Sequence, residues 1–189
     1  MVSGVILSGG ASRRMGQDKG LTPFAGLPLI QHVISRIAPQ VEELHINTHR
    51  RNEEYRQFGY PLVTDEMADF QGPLAGVLAG LKASRYEWVF TAPCDTPFLP
   101  PDLVARLLAS ATGADLVVAS TERAHATTML CRRSLAGNLA AALAQGVRRV
   151  QDWQAEQRCI LVHFDDEAAF ANLNTPEQLA NALKPPRRL

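Results

Sequence analysis

Short apolar runs rich in β-branched residues alternate with segments of helical period along the first 120 residues, and this alternation most constrains the fold. Gly4 to Leu7, Leu44 to Thr48, Pro61 to Thr64, Tyr86 to Ala92 and Leu116 to Ala119 read as strands. Between them, Leu29, Ile30, Val33, Ile34 and Ile37 recur at helical spacing, with Pro39 as a stop. A polar helix is expected from about Asn52 to Phe58, closing at Gly59. Further helices are expected from Pro73 through Leu81 and from Asp102 through Leu108. Strand-helix alternation with short connections argues for an α/β fold, a mostly parallel sheet with helices on both faces. Ligands of such sheets sit beyond the carboxyl ends of the strands. Ser8-Gly9-Gly10, Asn47, Asp65 and Asp95 all fall there.

The second half is less regular. Thr127 to Cys131 reads as a strand, Ser134 to Ala144 as a helix closed by Gly146, and Arg148 to Gln157 as a further helix. Cys159 to Phe164 reads as a strand and Phe170 to Thr175 as extended chain. Pro176 opens a helix through Leu183 with Thr175 as its cap, and the tail 184–189 is expected to be disordered. No internal repeat and no linker divides the chain, so residues 1–189 are expected to form a single domain.

The segment after the first strand, Ser8-Gly9-Gly10-Ala11-Ser12-Arg13-Arg14-Met15-Gly16-Gln17-Asp18-Lys19-Gly20, carries the densest chemistry. Paired glycines let the backbone approach a ligand, and successive N–H groups form an anion-binding concavity. Arg13, Arg14 and Lys19 add full positive charge, so the loop suits a polyphosphate. The glycine pair alone would read as an ordinary turn with solvated arginines. The loop matches neither G-x-x-x-x-G-K-[ST] nor G-x-G-x-x-G.

Composition excludes several classes. Nineteen basic and nineteen acidic residues give a formal net charge of zero, which does not suggest non-specific binding to nucleic acid or to an anionic membrane. Cys94, Cys131 and Cys159 are far apart, against both a disulfide framework and a structural zinc site. No stretch approaches a membrane span, and a cytoplasmic monomer is expected.

Asp95 lies between a buried strand and a proline-rich loop, where a carboxylate is placed either to hold Mg²⁺ with substrate phosphates or merely to brace the loop. An aspartyl nucleophile of the Asp-x-Asp kind is disfavoured because Pro97 stands at the second position. Asp65 and Asn47 suit a base or ribose, though each alone reads as a turn residue. His45 and His49 lack the helical spacing of a metal pair, Cys94 has no base beside it in sequence, and Gly4 to Ser8 is not a G-x-S-x-G elbow.

Leu7 to Lys19 resembles the opening of nucleotidyltransferases that begin Leu-x-Gly-Gly-x-x-x-Arg-Met-Gly-x-Asp-Lys. Together with Gly72-Pro73-Leu74-Ala75-Gly76, Pro93-Cys94-Asp95-Thr96-Pro97, Gly146-Val147-Arg148-Arg149 and Asn172-Leu173-Asn174-Thr175-Pro176, it resembles the molybdenum cofactor guanylyltransferase family. Ser8 departs from the usual Ala, a small change in the cradle. The resemblance implies a three-layer, Rossmann-like fold of the nucleotide-diphospho-sugar transferase type. It implies that Leu7, Ser8, Gly9, Gly10, Lys19, Asn47, Asp65 and Asp95 bind GTP, with Asp95 also on Mg²⁺. It assigns Asn172, Asn174, Arg148 and Arg149 to the pterin substrate, which no spacing in the sequence would do. The GTP-binding half is then roughly residues 1–120 and the pterin-binding part roughly 121–183.

The reaction so implied joins GMP from GTP to the phosphate of molybdenum-bearing molybdopterin and releases pyrophosphate. Lys19 and Arg14 would offset charge on the leaving group and Asp95 would hold the metal, while the division of labour between Arg13 and Arg14 stays open. Transient contacts with cofactor-biosynthesis proteins or target apoenzymes would follow. The rivals are a cytidylyltransferase on the same acceptor, a transferase acting on a sugar or alditol phosphate, and a nucleotide-dependent protein that delivers the cofactor without chemistry.

Overall fold

The computed structural model of the chain describes residues 1–9, 18–48, 53–64 and 72–183. Gly10, Arg13, Arg14, His49, Asp65 and the tail 184–189 lie outside the described residues. In chain order the elements are β1 (Val2–Leu7), a two-residue hairpin of β2 (Pro23–Phe24) and β3 (Leu27–Pro28), α1 (Leu29–Ile37), β4 (Glu43–Thr48), β5 (Leu62–Thr64), α2 (Pro73–Ala83), β6 (Trp88–Pro93), α3 (Leu103–Ala109), β7 (Leu116–Ser120), β8 (Ala124–Arg132), α4 (Ala136–Ala144), α5 (Val150–Ala155), β9 (Cys159–His163) and α6 (Pro176–Ala182).

Seven strands form one sheet in the order β5-β4-β1-β6-β8-β7-β9. β5, β4, β1 and β6 are parallel, as are β7 and β9, while β8 runs against both of its neighbours, β6 and β7. The sheet is therefore mostly parallel, as expected.

Period-2 alternation sends successive side chains of a strand to opposite faces. On β1, Val2 and Ile6 pack with Ile30, Val33 and Ile37 of α1 and Leu103 and Leu107 of α3. Val5 and Leu7 pack on the other face with Leu74, Val77 and Leu81 of α2, Leu139 of α4 and Trp153 of α5. All six residues of β1 are buried, which explains why its sequence is apolar apart from Ser3, whose hydroxyl bonds Glu43. The five apolar residues of α1 at i, i+3 and i+4 spacing are likewise buried. Each such burial contributes about 2 kcal/mol. α2 lies close on β1 because Gly80 has no side chain: a Cβ there would stand 2.7 Å from Val5 Cγ2.

Three readings of the sequence need correcting. The polar segment Glu53–Phe58 is a 3₁₀ helix rather than an α-helix, since Tyr55 alone is buried and no apolar stripe favours the longer period. The helix expected from Arg148 begins at Val150 and ends at Ala155. Phe170 is not extended but closes a 3₁₀ turn, Glu167–Phe170, whose first N–H groups are capped by the Asp166 carboxylate. The Thr175 cap is present as a reciprocal box with Gln178.

Glu43 fastens the start of β4. It accepts from Ser3 Oγ (2.5 Å), Arg85 N (2.7 Å) and Arg85 Nε (2.6 Å). Desolvation pushes its carboxyl up, but the Arg85 and Ser3 bonds together with His45 hold it at about 2, against an ordinary 4.5. The unfolded chain thus takes up this proton first on acidification. The stability is present in full above pH 4.5 and is lost as pH falls toward about 2. Urea midpoints measured from neutrality downward should fall less steeply in Glu43→Gln than in the parent; identical slopes would count against the network.

Candidate active site

The carboxyl edge of β1, β4 and β6 is extended by main-chain bonds past the strand ends. Ser8 N donates to Asn47 O (2.9 Å) and Cys94 N to Leu7 O (3.1 Å). This brings the Ser8-Gly9 turn, Asn47 and Asp95 to one edge, as the sequence predicts. Because β8 runs in the opposite sense, its first residues, not its last, also lie at this edge. Thr127 O there accepts from the Thr91 hydroxyl at 2.8 Å.

A first cavity of about 230 Å³ is lined by Leu7, Ser8, Gly9, Lys19, Asp95 and Asn172, among others. Asp95 is 4% exposed and fully engaged. Its Oδ1 accepts from Asn172 Nδ2 at 2.8 Å, its Oδ2 accepts from Lys19 Nζ, and its main-chain oxygen accepts from Leu173 N at 2.9 Å. Lys19 also donates to Asn174 Oδ1. Four residues from three distant stretches therefore share one polar knot. Asn172 and Asn174, assigned to the acceptor by resemblance, touch the pair assigned to the nucleotide.

The stems of the glycine-rich loop are tied together by a residue the sequence did not single out. Tyr55 is fully buried, and its hydroxyl donates to Asp18 Oδ1 at 2.5 Å and bonds the Ser8 hydroxyl. Burial first, then Cys94 and the Asp18 bond, raise the phenol, which keeps it a donor to the carboxylate. Ser8, the departure from the family pattern, thus adds a hydrogen bond. Gly20 passes between the two hydroxyls, where a Cβ would lie 2.5 Å from one and 2.6 Å from the other. The sequence signal for this clamp is slight: Tyr55 and Phe58 are the aromatic residues of an otherwise polar turn.

Asn47 is 1% exposed at the end of β4, donates to Val63 O at 3.3 Å, and lies so near α2 that a Cβ on Gly76 would meet its Oδ1 at 2.2 Å. Cys94 is buried, and desolvation first of all pushes its thiol up to about 12, so it stays protonated and is no nucleophile.

A second cavity of about 380 Å³ shares Pro73, Pro93, Thr127 and Asn172 with the first, so the two are contiguous. Arg123, Arg148 and Arg149 line it. Arg148 Nη1 is anchored on Leu143 O in the last turn of α4 at 2.9 Å and on Val147 O just beyond the helix at 3.0 Å. Lys19 and Asp95 thus border one chamber and Arg148 and Arg149 the other, with Asn172 on the shared wall. Asn174 lines neither of the two and reaches the site through Lys19. Among the described residues no group of three or more His, Cys, Asp or Glu side chains could hold a metal by itself.

Comparisons with known proteins identify the family and the fold. The sequence profile of the MobA-like NTP transferase domain matches residues 4–159. A protein named molybdenum cofactor guanylyltransferase from Burkholderia ambifaria is 48% identical, covering 95% of this chain and 94% of its own. One of the same name from Cupriavidus necator is 46% identical over 94% of each. A crystal structure titled molybdopterin-guanine dinucleotide biosynthesis protein A, from Archaeoglobus fulgidus, superposes with a TM-score of 0.80 at 23% identity and covers 96% of both chains, which shows the same fold. With relatives this similar along nearly its whole length, the chain belongs to the MobA-like NTP transferase family.

Proposed function

We propose that this chain transfers GMP from GTP to the phosphate of molybdenum-bearing molybdopterin, with Mg²⁺, and releases pyrophosphate. The observation that carries the reading is the Lys19–Asp95–Asn172 knot on the boundary of two contiguous cavities. The first cavity takes the nucleotide, with its triphosphate at the Ser8-Gly9 turn and Lys19. The second takes the acceptor, with Arg148 and Arg149 toward its anionic groups. Gly10, Arg14 and Asp65 are assigned to the nucleotide side by the sequence motif. Asn47 supports the end of β4 behind it.

An oxygen of the acceptor phosphate attacks the α-phosphorus of GTP in line. The new P–O bond forms as the bond to the α,β-bridging oxygen breaks, and the electron pair leaves with pyrophosphate. The attacking phosphate is ionised at neutral pH, so positioning and charge neutralisation dominate, as in phosphoryl transfer generally. The Gly9 amide and Lys19 stabilise the departing charge, and Asn172 holds Asp95 in place between the chambers.

Nucleotidyltransferases of this family use a divalent metal. Asp95 fits one such ion: it is an acidic oxygen donor on the cavity wall, and a cation, the Lys19 ammonium, already stands on its Oδ2. Mg²⁺ is commonly held by one or two carboxylates with substrate phosphates and waters. When bound, the ion would neutralise charge on the triphosphate. Among the described residues no helix is long and apolar enough to cross a membrane, and the three cysteines are free, which supports a reducing, cytoplasmic setting. Zero net charge gives no long-range attraction for polyanions, which supports GTP, the pterin and transient protein contacts as partners rather than nucleic acid or a membrane.

Pyrophosphate release should require GTP and molybdopterin together and should fall at least tenfold when CTP replaces GTP. Equal or faster turnover with CTP would make the enzyme a cytidylyltransferase. Release with a sugar phosphate in place of molybdopterin would overturn the acceptor.

A further inference from the structure

His125 lines the second cavity and is held on two sides. Its ring lies against Phe170, with centroids 4.6 Å apart and planes 18° from parallel. Its Nε2 stands 2.7 Å from the Thr121 hydroxyl oxygen. That hydroxyl donates in turn to Glu167 Oε2.

The direction of this chain follows from counting protons. A threonine hydroxyl has one to donate. The Thr121 hydrogen bond first, with the Arg123 charge behind it, holds the Glu167 carboxyl below its ordinary range, so at neutral pH Glu167 is ionised and only accepts. Thr121 therefore gives its proton to Glu167, and its oxygen accepts from the ring. The Nε2 of His125 carries the hydrogen. Burial, which outweighs the pull of Glu167, lowers the imidazole from its usual value, so the ring is neutral at pH 7. Nδ1 is left with a lone pair and, among the described residues, no protein partner. With Nε2 on Thr121 and one ring face on Phe170, Nδ1 is the polar atom that this side chain can offer to the cavity.

We propose that His125 is a specificity-determining residue of the acceptor site, whose Nδ1, fixed as a hydrogen-bond acceptor through Thr121 and Glu167, takes an N–H of the acceptor's heterocycle. This rests on the assignment of the second cavity to molybdopterin. The neighbouring Arg123, Arg148 and Arg149 supply donors only, which suits the anionic groups of that substrate. A reduced pterin carries an exocyclic amine and ring N–H groups, and these need acceptors. A neutral imidazole locked in one tautomer meets that need without adding charge.

Steady-state kinetics on the full chain, with GTP and molybdopterin varied separately, tests this. His125→Gln keeps a donor near Thr121 but has no atom at the Nδ1 position. It should raise KM for molybdopterin about tenfold or more while KM for GTP stays within about twofold. His125→Asn places an amide oxygen near the Nδ1 position and should recover much of that loss. An unchanged acceptor KM in His125→Gln, or His125→Asn no better than His125→Gln, overturns the proposal while an active parent enzyme leaves the wider reaction intact. A parent that fails to transfer GMP to molybdopterin removes both. Independently of activity, nitrogen NMR of the ¹⁵N-histidine-labelled parent should show His125 as the neutral Nε2–H tautomer; the Nδ1–H form or an imidazolium at pH 7 overturns the proposal as well.

Discussion

Asp95→Asn should abolish GMP transfer, by about 10³-fold or more in kcat, in a protein that still folds. The substitution conserves shape. An amide oxygen can go on accepting from Asn172, and the bond from Leu173 N to the main-chain oxygen of residue 95 is untouched. What is lost is the negative charge. The amide nitrogen then faces the Lys19 ammonium, donor against donor, and no anionic oxygen remains at this point for a divalent ion. Removing one member of a fully buried ion pair costs about 3–5 kcal/mol. Here the Lys19 side chain is 28% exposed and can turn to water, so the stability loss should be smaller. Circular dichroism and a thermal melt would establish the fold, and pyrophosphate release across a Mg²⁺ titration would give the rate. Turnover near that of the parent in a folded Asp95→Asn protein would remove Asp95 from the metal and the chemistry together.

Lys19→Met should lower kcat by about 10²–10³-fold, the size seen when one preorganised donor to developing charge is removed. Methionine keeps most of the stem and none of the charge. In the free protein Lys19 bridges Asp95 and Asn174, and in the complex proposed above it neutralises the departing pyrophosphate. The loss should therefore fall on kcat more than on KM for GTP, because the charge it meets is larger in the transition state than in the ground state. A change confined to KM would reassign Lys19 to ground-state binding.

Much of the architecture was legible because it depends on local pattern. α1 spans Leu29–Ile37 as its apolar spacing requires, and β4, β6 and β7 fall within two residues of their apolar runs. The gathering of the Ser8-Gly9 turn, Asn47 and Asp95 at one edge also followed, since it needs only the parallel order of consecutive strands. The direction of β8 did not. Pattern marks Thr127 to Cys131 as a strand but carries no sign for its sense. Ala124-His125-Ala126 belongs to the strand through pairing with β7 at Ser120–Ala124. That extension places His125 at the second cavity. Tyr55 and the two asparagines were illegible for a related reason: each acts through partners more than 30 residues away in sequence, Tyr55 on Ser8, Asn172 on Asp95 and Asn174 on Lys19. Gly76 and Gly80 carry no sign in the sequence of what they approach, and their contacts show tight helix–sheet packing at both.

The Asn172–Asp95 and Asn174–Lys19 bonds also fix when this knot can close during synthesis. A ribosome that has released everything through β9 has made both sheet edges and all the nucleotide motifs. It has not yet made the asparagines that orient the central carboxylate and its lysine. A premature stop after β9 would leave a chain with its sheet complete and this knot unclosed. α6, capped by Thr175 and Gln178 immediately after Asn174, lays Leu179 and Ala182 against the cluster of Phe24, Leu29 and Leu173 and so ties the closing segment to the hairpin and α1.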